Sequence, residues 1–175
     1  MAAVLPALLG AAAPAAPVWG LRIAAVLLGA GASFAMVDLM APLTITPTPR
    51  WVRQWLRFTI VVIPAALVWA VLCLLAVGTT PGLPVRDLVG EALVCALSGL
   101  AGAAVASRVG TSRTTALAGP AVQGLLVVAS LFLTGRWSPW PLPGAPGWAV
   151  VHAGWWTAVP VLVAVLLAAN REVEF

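Results

Sequence analysis

Apolar runs of about 20 residues recur along this chain, and each, coiled as a helix, can cross the roughly 30 Å hydrocarbon core of a bilayer. In lipid, every backbone N–H and C=O must find its partner within the protein, so runs of this kind fold as helices. The composition agrees: of 175 residues, 62% are hydrophobic and 8% charged, where a soluble domain carries about a quarter charged. The expected fold is all-α, a polytopic integral membrane helix bundle forming a single transmembrane domain over residues 1–175, with about six transmembrane helices.

The clear runs place spans at residues 18–37, 58–77, 88–106, 115–134 and 149–169. A weaker run at residues 2–16 is interrupted by Pro6 and Pro14 and would be about 22 Å long as a helix. It reads as a short span, a re-entrant segment or the remnant of a longer helix. The opening MAAVLPALLGAAAPAAP resembles a secretory signal in outline, but it lacks a basic leading region and another span follows at once, so cleavage is not the favoured reading. Small residues recur every fourth position as Ala25, Gly29 and Ser33, and again as Cys95, Gly99, Ala103 and Ser107. That spacing lets a neighbouring helix approach closely. Cys73 and Cys95 have no partner at metal-ligand spacing and read as small hydrophobes. Pro64 predicts a kink within its span.

Residues 44–58, TITPTPRWVRQWLRF, are the only long polar interruption. At 100° per residue Arg50, Arg53 and Arg57 share one narrow sector, and Trp51, Val52, Trp55, Leu56 and Phe58 fill the opposite side. A short helix over residues 49–58, lying in the membrane interface, is expected. Residues 135–148, GRWSPWPLPGAPGW, are too rich in Pro and Gly for a regular helix, and Trp137, Trp140 and Trp148 suit the headgroup region. If the 49–58 helix is cytoplasmic, alternation collects Arg50, Arg53, Arg57, Arg108, Arg113 and Arg171 on that side and leaves Arg22, Arg86 and Arg136 on the other. That bias gives six spans with both termini in the cytoplasm, or five spans where residues 2–16 do not cross. The net charge of +4 is dispersed among short loops, which is how topology signals look, so no nucleic-acid partner is expected.

Polar groups at membrane depth are candidates for function. Glu91 stands foremost, with Asp87 four residues earlier on the same face and Arg86 adjacent. It reads either as a cation or proton site, or a counter-charge for a cationic substrate, or as an interfacial carboxylate paired with Arg86 or Arg22 or simply reaching water. His152 lies near the outer end of the last span and reads as an interfacial hydrogen-bonding residue; a lone histidine cannot supply paired haem ligands. Gln123 reads as a substrate-binding amide or an interhelical hydrogen bond. The sequence contains no phosphate-binding G-x-x-x-x-G-K-[ST], no G-x-S-x-G and no H-E-x-x-H. The chain is therefore not read as an enzyme, and no catalytic, cofactor-binding or metal-binding residue is assigned.

With PTPRWVRQWLRF between two spans and GRWSPWPLPGAPGW between the last two, the layout resembles the permease subunits of type V ABC exporters. The stretches FAMVDLMAPLTITPTPRWVRQWLR and WAVVHAGWW are also similar to those of small permease-like proteins of high-GC Gram-positive bacteria. The resemblance implies a multi-pass protein of the bacterial cytoplasmic membrane that couples a separate ATP-binding subunit to export. ATP and Mg²⁺ would sit on that partner, a second membrane subunit would complete the assembly, and Arg50, Trp51, Arg53, Trp55 and Arg57 would form the coupling helix. The chain is shorter than a typical permease of this class and has no clear amphipathic N-terminal helix, which fits a half-size or accessory subunit. The 49–58 helix reads equally as a lipid-bound linker, and the chain alternatively as a non-catalytic structural or accessory subunit of a respiratory or cell-envelope complex. A small ion-coupled carrier using Glu91 is a further reading.

Overall fold

The computed structural model of the protein describes residues 15–34, 49–109 and 113–171. Within them the chain is all-α, without a strand: α1 (Ala15–Ser33), α2 (Arg50–Thr79), α3 (Val85–Val109), the short α4 (Arg113–Ala116), α5 (Ala118–Leu131) and α6 (Trp148–Asn170). α1, α2, α3 and α6 are each long and apolar enough to cross a membrane, and α5 is a shorter apolar helix. The expected run at residues 2–16 lies outside the described residues except for Ala15 and Ala16, which open α1. Asp38 and the polar stretch 44–48 also lie outside them.

Helix α3 is the centre. It is the most buried of the four long helices, and α1, α5 and α6 all pack on it. Both small-residue rows face inward, as their spacing predicts: Ala25, Gly29 and Ser33 are buried on α1, and Cys95, Gly99, Ala103 and Ser107 on α3. The closest approach joins three helices. A Cβ on Gly29 would lie 2.9 Å from the Ala96 Cα, and one on Gly119 would lie 2.7 Å from the Gly99 carbonyl oxygen. Gln123 fills the middle, donating from Nε2 to the Val26 carbonyl at 2.8 Å. It therefore makes the interhelical hydrogen bond of the two expected readings.

The expected fifth span is realised as α4 and α5 with a turn at Leu117. Pro120 explains the break: its ring clashes with the carbonyl of Ala116, four residues earlier, and it has no N–H to donate. Helical bonding resumes from Ala121 N–H to the Leu117 carbonyl at 2.9 Å.

The basic segment and the following span were expected as separate elements, but they form one helix, α2, of 30 residues. No Gly or Pro separates Arg57 from Phe58, and Pro64 is accommodated inside the helix. At about 45 Å, α2 exceeds the roughly 30 Å hydrocarbon core, so one end stands beyond it. That end also turns its faces differently from expectation. Gln54, on the arginine side, is buried, and Trp51 and Leu56 on the apolar side are exposed. Further along, Ile60, Ile63, Leu67 and Leu74 face outward, as they can where lipid is the solvent.

Glycine contacts make the packing testable. Gly119→Ala is expected to destabilise the bundle by about 1–3 kcal/mol through overpacking. Gly124→Ala, on the same helix with nothing within 4 Å of its added Cβ, should be neutral or slightly stabilising. Reversible unfolding in bicelles would measure both, and equal effects would contradict the packing described.

Candidate functional site: a buried charge cluster

The turn at Pro81–Gly82, where Gly82 takes φ 83°, ends at Pro84 and starts α3, which carries Glu91 inward by almost two turns. Opposite it, α1 presents Arg22 in its third turn. Arg22 grips Glu91 with two parallel hydrogen bonds, Nε to Oε2 at 2.7 Å and Nη2 to Oε1 at 2.6 Å. Arg22 and Glu91 are 3% and 2% exposed, so neither reaches water. The expected alternatives for the partner of Glu91 thus resolve to Arg22. A small void lined by Arg22, Glu91, Cys95, Trp69 and Trp140 has no room for a water molecule.

The third member is His152. Its Nε2 lies 2.8 Å from Glu91 Oε1 and its Nδ1 lies 2.7 Å from the Trp148 carbonyl oxygen. At 2% exposure it is buried in the protein, and both ring nitrogens are engaged in hydrogen bonds. Gly147 sets it there. This glycine caps α6 with φ 88°, a left-handed geometry that costs other residues, and turns the chain so that Trp148 and His152 point to α3. Trp148 stacks on the imidazole with centroids 3.9 Å apart and donates its indole N–H to Asp87 Oδ2 at 2.5 Å.

The Pro- and Trp-rich connection is irregular from Ser138 to Gly147 after a 3₁₀ turn at Gly135–Trp137, as its composition predicts. It closes over the cluster. Arg22 spends two of its three remaining N–H donors on the carbonyls of Trp140 at 3.3 Å and Pro141 at 2.8 Å. Trp155 donates to the Pro139 carbonyl at 3.1 Å, Trp140 donates to Ser130 Oγ at 2.6 Å, and the Trp19 and Trp140 rings flank the guanidinium at 5.0 and 5.5 Å. Trp140 and Trp148 are therefore half-buried and occupied with the cluster, whereas Trp137 is exposed.

The remaining site candidates lie apart from this cluster. Arg53, Trp55 and Arg57 are half-buried and Trp51 is exposed on the first turns of α2; Arg50 opens that helix, and its side chain lies outside the described residues. Trp51 and Trp55 line a cavity of about 420 Å³ with Leu167, Asn170 and Arg171. Arg108 donates to the carbonyls of Ala168 and Arg171 at the same end. The arginine-rich end and the Arg22–Glu91–His152 cluster are thus at opposite ends of the bundle.

No protein family, curated protein or solved structure matches the chain. Among the described residues, no group of three His, Cys, Asp or Glu side chains could hold a metal ion.

A buried ion pair costs most when only one partner is removed. Arg22→Met or Glu91→Met alone should each destabilise the bundle by about 3–5 kcal/mol, and the double variant should cost clearly less than either. A double-mutant cycle on unfolding free energies would read the coupling; additive losses would mean that the two side chains do not stabilise the bundle as a pair.

Proposed function

We propose that the chain is a membrane subunit of an ATP-driven exporter in a bacterial cytoplasmic membrane, with its arginine-rich end in the cytoplasm. Six crossings with both termini cytoplasmic, residues 2–16 supplying one of them, is the topology that goes with this reading. The observation that carries it is the continuity of α2. A separate ATP-binding subunit would dock at the Arg50–Arg57 segment and hold ATP and Mg²⁺, since this chain has no phosphate-binding loop. A helix without a break carries a push at that segment on toward Trp69, with Pro64 the one position between them where the helix lacks a backbone N–H and can bend. At its far part, Trp69 donates to the Leu21 carbonyl at 3.2 Å, one residue from Arg22, so the push reaches the charge cluster and the loop above it.

The ion pair fills the bundle at one level and the glycine contacts around Gln123 at another, and the cavity of about 210 Å³ between α1, α2 and α3 is lined by apolar side chains such as Leu28, Val62 and Leu93. A translocation route therefore belongs at a face shared with a second membrane subunit. In the same geometry, Arg53 and Arg57 meet acidic groups of the ATPase while Trp51 rests in the membrane interface.

The test is purification of the tagged chain from its own host in mild detergent, with identification of stoichiometric partners. A nucleotide-binding ATPase is expected, and Arg53→Glu with Arg57→Glu should abolish its association without preventing insertion. Redox or cell-envelope proteins that stay bound after charge reversal would overturn the exporter reading in favour of a structural subunit of a larger membrane complex.

A further inference from the structure

The contacts of His152 cannot all be made by a neutral imidazole. The Trp148 carbonyl only accepts, so the 2.7 Å contact at Nδ1 requires a proton on that nitrogen. A neutral ring would then present a bare lone pair from Nε2 to Glu91 Oε1 at 2.8 Å. That oxygen already accepts from Arg22 Nη2 at 2.6 Å and belongs to a carboxylate gripped by the guanidinium on both oxygens. Two acceptors do not approach to this distance without a hydrogen between them. One more proton therefore occupies the Nε2···Oε1 contact. Arg22 favours the charged carboxylate, which leaves that proton on the ring.

We propose that Glu91 and His152 form a single-proton site, and that its occupancy sets how firmly the start of α6 and the loop before it are held to α3. It acts beside the bonds from Trp148 to Asp87 and from Arg22 to the loop, which do not need that proton. With the proton present, the imidazolium donates to both the Trp148 carbonyl and Glu91, and three helices are joined through Arg22, Glu91 and His152. When the proton leaves, the ring keeps one N–H for two acceptors, and either the bond to Glu91 or the bond to Trp148 is lost. Either loss loosens the first turn of α6. The loop moves with that turn because it runs directly into it at Gly147, and it is tied further along α6 by Trp155, which donates to the Pro139 carbonyl and packs on Trp140 at 5.1 Å between centroids.

The charged and titratable groups around the ring, among the described residues, are few. α3 contributes Glu91, the Cys95 thiol one turn further on, and Asp87, which reaches the ring through Trp148. α1 contributes Arg22. The loop contributes the carbonyls that engage Arg22. Nothing in this arrangement depends on the exporter reading.

His152 is the only histidine of the chain, so a histidine label reports on this site alone. The experiment is nitrogen-15 NMR of the full chain, labelled at histidine, in lipid nanodiscs from about pH 5 to pH 9, a range that brackets ordinary histidine titration. Hydrogen exchange of residues 132–147, corrected for intrinsic rates, is followed over the same range. Both ring nitrogens should be protonated at the acid end and should change together to a neutral ring at higher pH. Loop protection should fall across the same step by about tenfold or more, the worth of one charge-assisted hydrogen bond. In His152→Phe the step in loop protection should vanish. A wild-type ring that is neutral at every pH would overturn the proposal, as would a titration that leaves loop protection unchanged. If the variant fails to fold, the two wild-type measurements decide.

Discussion

Everything at one end of this bundle depends on the cost of a charge that water cannot reach. Glu91 projects from the central helix into a space without room for water, where an unpaired carboxylate is strongly unfavourable. Arg22 is the answer from α1, and its planar fork satisfies both oxygens at once. Once the pair forms, α1 and α3 have a fixed register, because a shift of one residue would turn one partner through 100° and strand the other. The remaining guanidinium donors also need partners, and two of them draw in the carbonyls of Trp140 and Pro141. An irregular segment is tolerable at this depth when its backbone groups are engaged by protein, and Arg22 helps to meet that requirement.

The other end is governed by exposure. Arg108 reaches the last carbonyls of α6, where a cation is favoured by the unsatisfied groups of a helix end, and α2 stands beyond the hydrocarbon thickness with Arg53 and Arg57 on its first turns. Between the two ends the packing is close, and glycine is required where α1, α3 and α5 meet around Gln123. This middle layer contains polar atoms but no charge. The Oε1 of Gln123 has no conventional donor in reach and lies beside Gly99, a setting in which a Cα–H contact is the available partner.

Much of this was legible in the residues. Four-residue spacing of small side chains identified the faces of α1 and α3 that pack, and Pro and Gly marked the irregular segment before α6. Glu91 stood out because a carboxylate inside an apolar run needs an explanation, and Arg22 was one of its two expected partners. His152 was also singled out, but its partner was not, because Glu91 lies 61 residues away and local spacing carries no trace of that contact. The Trp residues misled for a related reason: an indole suits the headgroup region, but it equally suits a cation or an imidazole that only the tertiary fold supplies. The signal that could have been used is the pairing of WAVVH with a preceding glycine, which aims a histidine inward one turn after a helix starts. The arginine segment misled in the opposite way. Its helical periodicity was right, but nothing in it ends a helix, and α2 therefore runs straight through.

The choice of residue at position 152 bears on what the cluster is for. Arg22 and Glu91 already neutralise each other, so a third group is needed only to satisfy the second lone pair of Oε1. A neutral donor such as Asn, Gln or Ser could do that at no electrostatic cost. An imidazole contacts Glu91 and also the Trp148 carbonyl, and in the proposed single-proton site it makes both bonds as a cation, which places a net positive charge beneath the loop. A bundle built for stability alone has little use for that charge, since apolar replacements of buried ionic groups are often neutral or stabilising. The indole stacked on His152 and the Asp87 carboxylate behind it offset part of the cost. The expense is intelligible if the proton is meant to come and go.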